Sequence, residues 1–382
     1  MQKPIAGNIR KKGKYYYYTY QKDGIRYLDV ALKETEFRKA IKKANDIYSN
    51  TINPDELTPN SIAPLLYKYL DREMERVQKN TLTLPTYNEK KRILTTHILN
   101  YFGQNRDVTK LTVLDIEDYC DCKLETLSNN TVVKHYHYLN AFFKYLCKID
   151  TLIKNVVDLA DHPGRTKSEV PDTLTKEEVA QYLTHLENDK EVSLSFKIAI
   201  INTLLGGMRR GEAISIKADS VSFIKNPKNP SVKYVKVLVK DTITTSDNEV
   251  IYKDTKSHKE RQVVLPPFAT HFYAQAISER SRRILQFGAD KIGEYIAGDD
   301  FNHNLHPDWF TRENRRLLKK YNMRYVSLRG FRHTRATLLH ASGADLKSIS
   351  DLLGHSTIKI TADIYTHPGE DIALELANMV NF

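Results

Sequence analysis

Two arginines, a histidine and a tyrosine stand close together in the last sixty or so residues. Arg329 and Arg332 lie in Ser327-Leu-Arg-Gly-Phe-Arg-His333-Thr334, His355 ends Leu352-Leu353-Gly354-His355, and Tyr365 follows ten residues later. Guanidinium forks clasp phosphate oxygens in two-point contact, and a phenol oxygen can attack phosphorus. The set therefore suits nucleophilic cleavage of a phosphodiester.

The elements that must position these groups are legible around them. Leu346, Ile349, Leu352 and Leu353 recur at helical spacing, and Gly354 sits where a helix stops and turns left-handed, so His355 is expected on a tight corner between two helices. Ser356 can cap the next short helix. In that helix Ile360 and Ile364 share a face, with Tyr365 on its flank and its hydroxyl free to point into a cleft.

These boxes resemble the C-terminal half of the tyrosine recombinase (phage integrase) catalytic domain, which reads roughly His-x-x-Arg-His-Thr, then Leu-Gly-His, then Tyr. The counterparts are Arg329-x-x-Arg332-His333-Thr334, Leu353-Gly354-His355 and Tyr365. The family's Gly-Leu-Arg-x-x-Glu corner is matched by Gly207-Met208-Arg209-Arg210-Gly211-Glu212, and its hairpin lysine by Lys256 in Thr255-Lys256-Ser257-His258-Lys259-Glu260-Arg261. Four boxes in the right order are far more specific than any one of them.

The resemblance implies a division of labour. Arg209 and Arg332 hold the scissile phosphate, Lys256 protonates the leaving 5′ oxygen, His355 hydrogen-bonds the phosphate or the phenol, and Tyr365 becomes a 3′-phosphotyrosyl link. That link conserves the bond energy, so neither ATP nor a metal or other cofactor is implied. Arg329 replaces the family's first histidine. An arginine accepts no proton at physiological pH, so it is expected to serve as a third fork, with the phenol's proton going to His355, water or the phosphate. Glu212 is expected to orient Arg209, and His333 to support Arg332 structurally.

Length and composition fit this reading. The chain has 382 residues, 41% hydrophobic and 27% charged, enough for two or three domains with real cores. A net charge of +11 points to a polyanionic partner. With no N-terminal apolar stretch and no long apolar run, a cytoplasmic protein without membrane spans is expected. Cys120, Cys122 and Cys147 suit a reducing compartment, and Cys120-Asp-Cys122 with His135 and His137 fits no common zinc pattern.

Towards the N terminus, the run Tyr15 to Tyr20, the turn Asp23-Gly24 and the run Ile25 to Leu32 make a hairpin, and Glu36 to Tyr48 an amphipathic helix. Basic groups on the open sheet face suit a DNA groove. After the polar stretch Asn50 to Asp55, helical stripes run through Ile62 to Leu70, Leu94 to Phe102, Leu111 to Ile116 and Val132 to Leu146. Lys90, Lys91, Arg92, Lys134 and Lys144 are candidate solvent-facing phosphate contacts. A turn-rich linker follows, and Thr175-Lys-Glu-Glu178 is a capping box. Lys233 to Lys240 reads as a strand, with Val250 to Tyr252 and Gln262 to Leu265 as its partners, and Ile372 to Val380 as a tail helix.

The expected fold is multidomain α+β: a small β-sheet-plus-helix N-terminal domain, an all-helical core-binding domain, and a mainly helical catalytic domain with a small antiparallel sheet. The boundaries are 1–52 (arm-type DNA binding), 57–160 (core binding), 161–174 (linker) and 175–382 (catalytic). This layout resembles integrases of temperate phages and integrative conjugative elements. It implies double-stranded DNA with core and arm sites as the partner, a homotetramer on DNA, and an excisionase and a host DNA-bending protein as accessories. A non-cleaving DNA-binding regulator of the same fold and a type IB topoisomerase-like enzyme remain alternatives.

Overall fold

The computed structural model describes residues 7–365 apart from 13–14, 23–24, 33, 51–57, 165–171, 247–248, 255–259, 300 and 302. The chain divides into two compact units, residues 1–168 and 169–382.

The first unit opens with an antiparallel sheet of β1 (Asn8–Lys12), β2 (Tyr15–Lys22) and β3 (Ile25–Ala31), in that order. The expected hairpin is β2–β3. β1 is an addition: its one apolar residue, Ile9, leaves no alternation to read, and the strand is held by pairing with the tyrosine-rich β2. Helix α1 (Phe37–Asn50) packs Ala40 and Ala44 against Tyr18, Tyr20 and Leu32.

The helical part comprises α2 (Ile62–Gln78), α3 (Leu84–Arg92), α5 (Val113–Leu124) and α6 (Asn129–Lys148). α3 continues through a π-helical stretch, Ile93–Leu99, into the short α4 (Asn100–Phe102). Leu66, Leu94, Ile98, Ile116, Leu139 and Phe142 build the core, whereas Leu114, out of phase with Ile116 on α5, is exposed. Lys90 also departs from expectation. It lies on the inward stripe of α3 with Tyr87, is buried, and pairs with the buried Glu73 carboxylate and the Tyr69 hydroxyl. Lys134 and Lys144 are engaged by Glu89 at 2.8 Å and Asp158 at 3.3 Å, while Lys91 and Arg92 face solvent.

In the second unit α7 (Lys176–Asn188) begins at the expected capping box, with Thr175 and Glu178 satisfying each other's backbone N–H groups. The apolar α8 (Leu194–Leu204) runs through the core and leads to the one-turn α9 (Arg210–Ala213). β4 (Val221–Lys225), β5 (Lys233–Val239) and β8 (Arg261–Leu265) form an antiparallel sheet in the order β4-β5-β8. β6 (Asp241–Ser246) and β7 (Glu249–Asp254) form a separate hairpin. Val250 to Tyr252 therefore pair with β6 and not with β5, whose second neighbour is β4.

Helices α10 (Thr270–Phe287), α11 (Pro307–Lys320), α12 (Leu328–Ala341), α13 (Leu346–Leu353) and α14 (Ile358–Tyr365) complete the unit. The expected tail helix lies outside the described residues. Among the described residues no helix is long and apolar enough to cross a membrane, and no group of three His, Cys, Asp or Glu side chains is placed to hold a metal ion.

Candidate active site

The site grows from the corner after α8. Gly207 has φ +66°, and a Cβ there would come within 2.7 Å of the Leu353 side chain, so glycine is required both for conformation and for space. Buried Asn202 pins the corner: its carbonyl accepts from Met208 N at 3.1 Å, and its amide donates to Ala213 O at 2.9 Å. The chain then places Arg209 as the N-cap residue of α9. Glu212, 1% exposed, accepts from the Arg209 backbone N–H at 2.8 Å and from its Nη1 at 2.7 Å. The expected orienting role of Glu212 is thus visible as two hydrogen bonds.

α12 brings the second arginine. Ser327 caps this helix by accepting from Gly330 N at 3.0 Å, and Thr334 fixes it further by accepting from Leu174 N at 2.9 Å. One turn in, buried Arg332 donates from Nη1 to Gly207 O at 2.9 Å and lies 3.9 Å from Glu212. Arg329 stands in the first turn of the same helix, exposed.

The third piece is the corner after α13. Gly354 ends that helix at φ +66°, left-handed as the sequence demanded. Arg209 Nη2 donates to Gly354 O at 2.9 Å, and His355 Nδ1 lies 2.8 Å from the hydroxyl of the buried Thr361 on α14. The Tyr365 backbone closes α14, but its side chain is outside the description, as is the whole of Lys256 between β7 and β8. Arg209, Arg332 and His355 are therefore brought together, and Arg329 is placed on the first turn of the helix that carries Arg332.

One member escaped the sequence reading. Arg261 at the start of β8 donates from Nη2 to Glu212 at 2.5 Å and from Nε to Leu352 O at 2.9 Å. A signal existed: with period two, Arg261 shares the inward face of Val263 and Leu265, where a charge requires a partner.

Electrostatically the cluster is short of negative charge. Burial pushes the Glu212 carboxyl up, but the Arg261 hydrogen bond and the charges of Arg261 and Arg209 more than reverse this and hold it down at about 2. Burial and then Arg209 drive Arg332 down to about 9. Burial, followed by Arg332 and Arg209, holds His355 at about 4, and burial with Arg329 and Arg332 holds His333 at about 4. Both imidazoles are neutral at pH 7. Three guanidiniums gather round a single carboxylate, and the exposed Arg329 adds its charge beside Arg332 and His333, so the cluster can receive an anion. A groove of about 890 Å³, lined by Lys197, His271 and Trp309 among others, opens at the opposite end of α8 and shares no residue with this cluster.

The family model described as "Phage integrase family" matches residues 172–371, more than half of the chain and all of this site. The chain belongs to the phage integrase family. It is an enzyme of the tyrosine recombinase type, acting in site-specific recombination on DNA. A second family model, the phage integrase N-terminal SAM-like domain, matches residues 66–140. Similar proteins include the tyrosine recombinase XerC of Rickettsia typhi, 26% identical over 243 residues that span 63% of this chain and 70% of that protein. The ICEBs1 integrase of Bacillus subtilis is 23% identical over 301 residues, 77% of each chain. Among solved structures, the Tn1549 transposon integrase in complex with a circular intermediate DNA matches 84% of this chain and 99% of its own, with TM-score 0.64 and 18% identity. A lambda integrase dimer bound to a COC′ core site matches 95% and 96%, with TM-score 0.56 and 15% identity. At such identities the structural likeness speaks for the fold.

Proposed function

We propose that this chain is the integrase of a mobile element, a temperate phage or an integrative conjugative element, cutting and rejoining DNA through a 3′-phosphotyrosyl link on Tyr365. The observation that carries the proposal is the excess of guanidinium over carboxylate where the Arg209, Arg332 and His355 corners meet. Arg209 and Arg332 grip the non-bridging oxygens, and Arg329 adds a third fork from the solvent side. The Tyr365 oxygen bonds to phosphorus as the bond to the 5′ oxygen breaks. Lys256 gives that oxygen its proton. The phenol's proton passes to His355, to water or to the phosphate. His355 is suited to accept it when Nδ1–H donates to Thr361 and leaves Nε2 bare. A phosphate bound between the arginines cancels part of the field that holds this imidazole low.

Residues 57–160 serve as the core-binding domain, 175–382 as the catalytic domain joined to it by 161–174, and 1–52 as a reader of arm sites. The three-stranded sheet with α1 ahead of the helical domain favours an integrase over a chromosome-dimer resolvase. A homotetramer assembled on double-stranded DNA, with an excisionase and a host DNA-bending protein, completes the proposal. A nicked suicide substrate tests the chemistry: wild type forms a covalent adduct mapped to Tyr365, and Tyr365→Phe binds without forming one. No adduct in wild type would mean a DNA-binding module. Deleting residues 1–52 tests the arm reading, since it should spare cleavage of a short core site and impair recombination of full attachment DNA. Failure of wild type to join two marked sites would favour a topoisomerase-like activity.

A further inference from the structure

We propose that Arg261 is a positioning residue for the cleavage reaction, tying the strand that follows the Lys256 segment to Glu212 and to the corner that carries His355. The proposal rests on the recombinase reading above. Arg261 begins β8, separated only by Glu260 from residues 255–259. Its side chain, 9% exposed, runs inward on the face of Val263 and Leu265.

Each nitrogen of the fork has a definite setting. Nη2 donates to Glu212 Oε2 at 2.5 Å, and Nε donates to Leu352 O at 2.9 Å. Nη1 is buried with no hydrogen-bond acceptor among the described residues. The Leu352 carbonyl belongs to the last turn of α13, where carbonyls lack helical partners, so the guanidinium satisfies an orphan acceptor two residues before Gly354. The corner is folded over the fork: a Cβ on Gly354 would lie 3.0 Å from Arg261 Nη1 and 3.1 Å from its Cδ.

Glu212 is therefore held from two sides, its Oε1 accepting from the Arg209 guanidinium and its Oε2 from both the Arg209 backbone N–H and Arg261. Arg209 in turn holds the Gly354 carbonyl, closing a ring of contacts that runs Arg261, Glu212, Arg209, Gly354, Leu352 and back to Arg261. The planar fork reaches the carboxylate and the carbonyl from two separate nitrogens at a fixed spacing, whereas a lysine would have to reach both from a single ammonium. The groups facing Glu212 are Arg209 at the start of α9, Arg261 on β8 and Arg332 on α12. Without Arg261 the burial of the Glu212 carboxyl is less opposed, so it takes up a proton at higher pH and releases Arg209.

The test uses the full chain and a nicked core-site substrate, measuring single-turnover adduct formation from pH 5 to 9 alongside equilibrium DNA binding. For wild type, R261Q and R261K, a misaligned site should slow adduct formation ~10- to 100-fold in both variants, with binding changed less than ~3-fold. The acid limb of the rate profile should move to higher pH in R261Q. R261K keeps the charge beside Glu212 and most of the packed stem, so it carries the test if R261Q does not fold. Wild-type rates with an unmoved acid limb in a folded variant would overturn the proposal, as would parallel loss of binding and cleavage. Absence of an adduct in wild type would instead defeat the recombinase reading on which the proposal stands.

Discussion

Arg209 and Gly354, 145 residues apart, are joined by a hydrogen bond of 2.9 Å from Nη2 to the carbonyl oxygen. The corner that displays the first arginine is thereby tied to the corner that displays His355. Arg209→Ala should cost more than one phosphate fork, lowering adduct formation by ~10³-fold or more, while DNA affinity falls only by about one phosphate contact. Arg209→Lys should not restore the rate, because a single ammonium lacks the two separate nitrogens from which the fork reaches Glu212 and Gly354. Combined with Arg332→Ala the losses should fall well short of additive, since both arginines converge on the Gly207 and Glu212 corner. Equal losses in cleavage and binding would mark Arg209 as a DNA-positioning group only.

Lys90 and its neighbours separate structure from DNA contact. Lys90 lies buried against Glu73 and Tyr69, so Lys90→Ala leaves the buried carboxylate to Arg76 alone and should destabilise the protein by about 1–3 kcal/mol in denaturant titrations. Its effect on the salt dependence of DNA binding should be nil. If Lys91 and Arg92 contact phosphates, replacing each by alanine should reduce the slope of log K against log salt by ~0.9 and leave stability unchanged. A shallower salt slope in folded Lys90→Ala would restore it to the DNA-facing set.

Where the sequence was legible, short-range chemistry decided the structure. The Gly354 stop, the Thr175 capping box and the inward stripes of α2 and α6 each depend on neighbours a few positions away. The readings that failed turned on partners far along the chain. Lys90 reads as a surface lysine until Glu73 is brought opposite it, and Arg261 reads as the end of a lysine hairpin until α13 and Glu212 meet it. β1, with one apolar residue, owes its existence to β2. The pairing of Val250 to Tyr252 was misjudged for the same reason: alternation marks a strand, and only the fold selects its neighbour.

The low-lying histidines predict an acid-sensitive catalytic unit. His333 and His355 are held near 4, below the ordinary 6.5, so between those values the unfolded chain binds protons that the folded one does not. Stability should therefore be fully present above pH 6.5 and decline as pH falls towards 4. Glu212, held at about 2, acts in the same sense at lower pH, its contribution being lost as pH drops through the range from 4.5 to 2. Thermal midpoints at pH 7.5, 6 and 5 should fall in that order, and His355→Asn should flatten the trend. Core-site DNA should flatten it too, because a phosphate among the arginines raises the proton affinity of His355. A midpoint independent of pH from 7.5 to 5 would contradict the neutral buried imidazoles.

Arg329 is the position where the family's histidine is absent, and the structure gives it a definite setting. It is exposed on the first turn of α12, one turn before buried Arg332, and its charge helps hold His333 neutral. A fork reaching the phosphate from the solvent side should be replaceable at some cost. Arg329→Ala should slow adduct formation by ~10-fold or more and leave a detectable rate, because Arg209 and Arg332 still grip the phosphate. Arg329→His should remain active and make cleavage depend on pH between about 5 and 8, where an exposed imidazole titrates. It should also loosen the hold on His333, whose neutrality owes part of its cause to the Arg329 charge. Wild type, alanine and histidine forms compared on one nicked substrate decide the matter. An alanine variant as fast as wild type would leave Arg329 a surface charge, and an adduct that appears only with histidine would mean that wild type has lost the reaction at this position.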